Sequence, residues 1–206
     1  MTDIIENAGQ PENTAPAAGE KKPENTPKKE KQPMTFKRLY KEWILPFGLE
    51  ILALFLIVKF VFFVPIVPTG SMEPTIAEHS ALFALRVHDL EKLERGDIIV
   101  FTAETPELAG TTLIKRLIGL PGDHVEIDEN GTVTINGEVQ QESYVVYQYA
   151  IPSEFDVPEG YYLFMGDNRA NSMDSRYWQN PYVSGESIQG RATFTLFPFS
   201  NFGKLQ

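Results

Sequence analysis

Three short stretches of the chain carry residue types that could do chemistry. The first is Pro68-Thr69-Gly70-Ser71-Met72-Glu73-Pro74-Thr75. Gly70 permits an unusual backbone angle just before Ser71, and Pro74 stiffens the exit. A serine held in such a turn could serve as an exposed nucleophile or could be an ordinary turn residue. The second is Leu113-Ile114-Lys115-Arg116-Leu117-Ile118-Gly119-Leu120-Pro121-Gly122-Asp123. Read as a strand, it places Lys115 on one face with Leu113 and Leu117, and Arg116 on the other with Ile114 and Ile118. A lysine packed among aliphatic groups loses solvation, which lowers its pKa from ~10.4 toward the ~7–8 useful to a general base. The plain alternative is an edge strand with both cations solvated. The third is Met165-Gly166-Asp167-Asn168-Arg169-Ala170-Asn171-Ser172-Met173-Asp174-Ser175-Arg176-Tyr177-Trp178, a dense polar loop after an apolar strand. It could hold catalytic side chains in place, or be a solvated connector.

Other catalytic groupings are poorly supported. The histidines His79, His88 and His124 have no ligand spacing such as H-E-x-x-H, and no acid marks one as a triad base. They read as surface or turn residues, and no metal site or organic cofactor is expected. The chain has no cysteine, which excludes a disulfide framework, a thiol nucleophile and a thiolate metal site. No Walker loop or dinucleotide-binding glycine pattern occurs. If Ser71 is a nucleophile, Lys115 is its more plausible base.

The elements that would position these residues fall into three segments. The chain has 206 residues and a net charge of −10, enough for one medium domain and an appendage. Residues 1–42 are rich in Pro, Glu, Lys, Asn and Thr, and Pro-Glu-Asn-Thr occurs at 11–14 and 23–26. Such a stretch buries too little apolar surface to offset its ordering entropy, and predicts a disordered tail. An anchor is expected at 43–64. Of the 21 residues of Ile44–Val64, 16 are Ile, Leu, Val or Phe. As a helix this run spans ~32 Å, enough for a hydrocarbon core. Glu50 and Lys59 cost at most ~3 kcal/mol each, and the apolar residues return ~0.3–0.6 kcal/mol each. The alternatives are a buried core helix and a cleaved signal peptide. The long stretch ahead of the run and the lack of a small-residue cleavage site behind it disfavour the second. Lysines crowd before the span, which places the N-terminus in the cytoplasm.

Residues 65–206 hold 20 acidic and 9 basic residues, a charge of −11, which argues against nucleic-acid binding. Strands are expected at Ala81–Arg86, Asp97–Thr102, Thr112–Ile118, His124–Asp128, Thr132–Asn136, Tyr161–Met165 and Arg191–Phe197. Asn130-Gly131 and Asn136-Gly137 are hairpin signals. A mainly β domain, as a small barrel or a folded sheet, is the expected form.

In this order, an apolar anchor, PTGSMEPT, RGDIIVF (95–101), LIKRLIGLPGD, GDNRANSMDSR and a closing TFTLFPFSNFG, the chain resembles the bacterial type I signal peptidases. The likeness runs from about Ile44 to the end and looks like the short form of Gram-positive bacteria. It implies a membrane-anchored Ser–Lys endopeptidase with a signal-peptidase-like β fold and one transmembrane helix. Such an enzyme cleaves signal peptides from exported preproteins after small residues. Ser71 matches the nucleophile, Lys115 the general base, and the Ser71 N–H and Thr69 hydroxyl the oxyanion donors. Relatives often carry serine at the Thr69 position. Ser172 matches the residue that orients the lysine, Asp167 a partner of Arg116, and Asp174 a partner of Arg176. Val67, Pro68, Ile76, Leu113 and Ile114 match the lining of two shallow substrate pockets. Ala170 stands where relatives often have aspartate. The implied partners are signal peptides, the lipid bilayer and the export machinery, with the catalytic domain outside the cytoplasm. The rivals are a self-cleaving Ser–Lys protease of the SOS-repressor type, which would need a DNA-binding domain, and a membrane-tethered noncatalytic β domain.

Overall fold

The computed structural model describes residues 36–106 and 108–205. The expectation of a disordered tail falls mainly on residues 1–35, which lie outside the described residues. The chain is already helical at Phe36, ahead of the expected anchor start at 43. Helix α1 covers Phe36–Leu39, a wider π-type turn covers Tyr40–Ile44, and helix α2 covers Leu45–Phe60. Pro46 sits in the first turn of α2, where its missing N–H removes an i−4 bond that the wider turn accommodates.

Tyr40–Phe60 is long and apolar enough to cross a membrane, and none of its most apolar window is buried against the rest of the chain. A buried core helix is therefore not what forms. The helix stops at Phe60, short of the expected Val64. The reason is local: strand β1, Phe62–Phe63, is drawn into the sheet by pairing with Leu85 and Ala84.

The other strands are β2 (Ala81–Arg86), β3 (Ile98–Thr102), β4 (Thr112–Gly119), β5 (His124–Ile127) and β6 (Val133–Ile135). They continue as β7 (Glu138–Val139), β8 (Ser153–Asp156), β9 (Tyr161–Met165), β10 (Tyr182–Ser184), β11 (Ile188–Phe197) and β12 (Gly203–Lys204). The larger sheet runs β1-β2-β11-β3-β4-β9-β10 with β12 beside β11, and the smaller runs β7-β6-β5-β8. Its path is open at β1 and β10, so of the two expected forms the folded sheet is the one present. Register shifts at Ile188/Gly190, Ala192/Phe194 and Thr195/Phe197 bend β11. That bend lets one strand pair with β2, β3 and β12 in turn.

The hairpin signals act in two ways. Asn136 and Gly137 both have positive φ, 52° and 84°, the combination a two-residue type I′ turn requires between β6 and β7. Around Asn130-Gly131 the loop is longer, and Asp128 Oδ1 accepts from the N–H groups of Asn130 and Thr132, each at 2.8 Å.

Three apolar clusters follow from this layout. One joins Val67, Met72 and Ile76 of the chain after the anchor to Leu82, Val100 and Ile114. A second packs Ile99, Phe101 and Leu117 against Phe164 and Trp178. A third, with Ile118, Leu163 and Met165, ties the smaller sheet's Val125 and Ile135 to the larger one. β4 contributes to all three, and its residues are continuously buried from Ile114 to Gly119.

Candidate active site

β4 lies between β3 and β9, not at an edge. Lys115 is the cross-strand neighbour of Ile99, and Arg116 that of Ile98 and Met165. Both cations are consequently buried, at 3% and 2% exposure. The alternative of a solvated edge strand does not hold. The two cations meet burial in different ways.

Arg116 is neutralised. Its Nε and Nη2 donate to the two carboxylate oxygens of Asp167 at 2.8 and 2.6 Å, and Nη1 donates to the Gly96 carbonyl at 2.7 Å. The guanidinium also lies over the Tyr144 ring, 3.9 Å from its centroid. A two-point carboxylate pair together with a carbonyl bond is the arrangement that makes a buried arginine tolerable. Thr75 Oγ1 donates to Asp167 Oδ2 at 2.5 Å, which joins the same carboxylate to the chain just after Ser71.

Lys115 has no carboxylate in contact among the described residues, and its Nζ lies 2.5 Å from Ser71 Oγ. Burial pushes its pKa down to about 8 from 10.5. The charges of Asp174 and Asp167 oppose the drop, while that of Arg176 assists it. A large share of the amine is therefore neutral in mildly alkaline solution, able to accept a proton.

Ser71 sits in a single 3-10 turn, Gly70–Met72, pinned from below by the wholly buried Met72. The polar loop after β9 holds this turn directly. Asn168 donates its backbone N–H to the Ser71 carbonyl and its side-chain Nδ2 to the Gly70 carbonyl, both at 3.1 Å. Gly166 passes so close that a Cβ there would lie 2.5 Å from the Ser71 carbonyl oxygen and collide with Ser172 Oγ. Thr69 Oγ1, on the exposed side, lies 3.4 Å from Ser71 Oγ.

The loop is itself braced. Asp174 accepts from Arg176 Nε and Nη2 at 2.8 and 2.9 Å and from the Gly166 N–H at 2.9 Å. Arg176 also reaches the carbonyls of Tyr149 and Arg169, both at 3.0 Å. Arg169 donates to Glu142 at 2.6 Å. Ala170 is exposed and its N–H donates to the Tyr147 carbonyl at 3.0 Å. These links form without an acid at 170.

The site residues expected from the sequence are thus distributed unevenly. Ser71 and Lys115 are in contact, and the pairs Arg116–Asp167 and Arg176–Asp174 are formed. Ser172 is buried, but its Oγ has no hydrogen-bond partner among the described residues, so the expected bond to Lys115 is not made here. Val67, Ile76 and Ile114 share one apolar cluster, Leu113 packs against another, and Pro68 is exposed. Asn168, Thr75, Gly166 and Glu142 were not expected. The first three lie inside or beside the quoted motifs; Glu142 lies in a polar stretch with no pattern to mark it.

Comparison with known proteins bears on this arrangement. The family described as "Signal peptidase, peptidase S26" matches residues 40–197. The chain belongs to that signal peptidase family. A probable signal peptidase I-2 of Synechocystis is 37% identical over 68% of this chain and 65% of its own length. A probable signal peptidase I-1 of the same organism is 37% identical over 78% of this chain and 85% of its own. Signal peptidase I P of Bacillus subtilis subsp. natto is 35% identical over 79% and 91%. As a family member the chain is a peptidase of signal-peptide processing, and its apolar helix fits the membrane association of signal peptidases.

The buried arginine pair makes the site sensitive to loss of one charge. Asp167→Asn should reduce the unfolding free energy by about 3–5 kcal/mol, because it leaves Arg116 charged and incompletely paired. Urea denaturation followed by circular dichroism measures this; a loss under about 1 kcal/mol would contradict the account.

Proposed function

We propose that the chain is a membrane-anchored serine endopeptidase that removes N-terminal signal peptides from exported preproteins. In this reading Ser71 is the nucleophile and Lys115 the general base. The supporting observation is the 2.5 Å contact between Ser71 Oγ and a lysine amine buried to 3% exposure. As Ser71 Oγ bonds to the scissile carbonyl carbon, its proton passes to the neutral Lys115 Nζ. The resulting ammonium returns that proton to the leaving amine as the peptide C–N bond breaks. Water then attacks the Ser71 ester carbon, losing a proton to Lys115; as the C–Oγ bond breaks Lys115 returns that proton to Ser71 Oγ, and the signal peptide leaves with its new carboxyl end. The Thr69 hydroxyl and the Ser71 N–H are the proposed donors to the oxyanion. Thr69 keeps the hydroxyl of the serine common at that position, with a stiffer side chain. A rotation of the Ser172 χ1 would let it orient Lys115, since its hydroxyl has no partner to give up among the described residues. No metal or cofactor enters these steps.

Specificity for small residues in the A-x-A pattern follows from shape. Val67, Ile76 and Ile114 occupy one apolar cluster, and with Pro68 and Leu113 they would leave shallow pockets. An extended substrate adding backbone hydrogen bonds would present alternate side chains to them. Tyr40–Phe60 would cross the bilayer with the N-terminus in the cytoplasm. The domain would then stand at the outer surface, where substrates leave the export machinery, which we propose it contacts.

A preprotein ending its signal in Ala-x-Ala tests the dyad. Ser71→Ala and Lys115→Met should each lower kcat by at least 10³-fold, with the fold retained by circular dichroism. Cleavage surviving in either variant would defeat the assignment. Orientation is tested separately: protease added to intact protoplasts should digest the region after Val64, and full protection of that region would reverse the topology.

A further inference from the structure

The joint between the apolar helix and the sheet is tightly built. His88 Nε2–H donates to the Phe60 carbonyl at 2.6 Å, the Arg86 N–H to the Val61 carbonyl at 2.9 Å, and Phe62 pairs with Leu85. Beside it lies a cavity of about 270 Å³ whose charged or polar lining is Arg86, His88, Asp89, Lys92 and Arg191. Three of the nine basic residues of an otherwise acidic domain therefore face one space.

Arg86 is the unusual member. The domain has six arginines. Arg95, Arg116, Arg169, Arg176 and Arg191 pair with Asp123, Asp167, Glu142, Asp174 and Asp97 respectively. Arg86 forms no ion pair among the described residues. Its guanidinium lies 4.7 Å from the centroid of the Phe63 ring, and its Nε is buried with no hydrogen-bond partner. The ring holds the guanidinium plane and supplies no acceptor for its N–H groups. The acids nearby are already engaged: Asp89 pairs with Lys92 at 3.0 Å and Asp97 with Arg191 at 3.2 Å. A planar fork of donors without an acceptor, flanked by two more cations, suits a phosphate oxygen pair.

We infer that this cavity binds the phosphate of an anionic lipid headgroup in the outer leaflet, with Arg86 as the principal donor and Lys92 and Arg191 in support. The choice of a lipid over a free phosphate rests on the reading of Tyr40–Phe60 as a membrane span. That reading puts the His88–Phe60 contact, and the cavity with it, at the headgroup layer.

The test uses the full chain in neutral detergent micelles, titrated by calorimetry with short-chain phosphatidylglycerol, short-chain phosphatidylcholine and inorganic phosphate. Phosphatidylglycerol should bind saturably and at least tenfold more tightly than phosphatidylcholine or phosphate. Arg86→Gln should weaken it about tenfold or more. Lys92→Gln, at a side chain 80% exposed and so without consequence for folding, should weaken it less. Equal binding of the two lipids, or no change in Arg86→Gln with unaltered thermal unfolding, overturns the inference. Inorganic phosphate binding as tightly as phosphatidylglycerol would assign the cavity to a free anion and also overturn it. Alkaline extraction of membranes tests the anchor by itself: release of the chain would defeat the span, whereas retention with no Arg86 effect would defeat only the lipid site.

Discussion

A lysine buried with no carboxylate in contact among the described residues is the constraint on which the rest of the site depends. β4 carries Lys115 and Arg116 side by side through the middle of the larger sheet, where both are almost fully buried. Burying two adjacent positive charges would be costly if both stayed charged and unpaired. The structure resolves this asymmetrically: Arg116, which cannot lose its proton, receives Asp167 and a carbonyl, and Lys115, which can, is left to a serine hydroxyl. The aspartates that remain at a distance from Lys115 limit how far its pKa falls. The lowered pKa of Lys115 is thus a consequence first of burial, and then of carboxylates being held by the arginines and not by the lysine.

The polar loop after β9 is what allots them. Asp167 goes to Arg116 and Thr75, Asp174 goes to Arg176 and to the Gly166 N–H, and Asn168 clamps the carbonyls of Gly70 and Ser71. The same eight-residue span therefore pairs the arginine, withholds acids from the lysine, and fixes the serine turn. Gly166 makes this closeness feasible, since any side chain there would meet Ser71 and Ser172. The joint between helix and sheet follows the opposite rule. There Arg86 has an aromatic ring beneath it and no ion pair among the described residues, which leaves its donors for the proposed ligand.

Much of this was legible in the sequence, for physical reasons. Strands such as Ala81–Arg86 and Tyr161–Met165 are rich in apolar, aromatic residues and bounded by turn formers, and they form as expected. The dipeptide Asn136-Gly137 specified its turn because few other pairs accept two positive φ angles. The aliphatic neighbours of Lys115 pointed to a lowered pKa but left a solvated edge strand open, and the place of β4 between β3 and β9 decides between them. Other elements gave no such signal. β7, β8, β10 and β12 are two to four residues long, mixed in polarity, and exist because a neighbouring strand offers them a ladder. The helix end was misplaced because Phe62 and Phe63 suit a membrane helix and a strand equally, and pairing with β2 decides. Glu142 pairs with Arg169 across 27 positions, a contact set by tertiary packing that no local pattern could encode.

The central claim is that burial lowers the pKa of Lys115 to about 8, so that a large share of its amine is uncharged in mildly alkaline solution. Nuclear magnetic resonance titration of the Lys115 Cε and Nζ signals, in the full-length protein in micelles with lysine isotopically labelled, reads this directly. Assignment would come from the signal missing in Lys115→Met. The account predicts a midpoint near 8, well separated from the other lysines. A Lys115 midpoint with the rest, near the ordinary ~10.4, would contradict it.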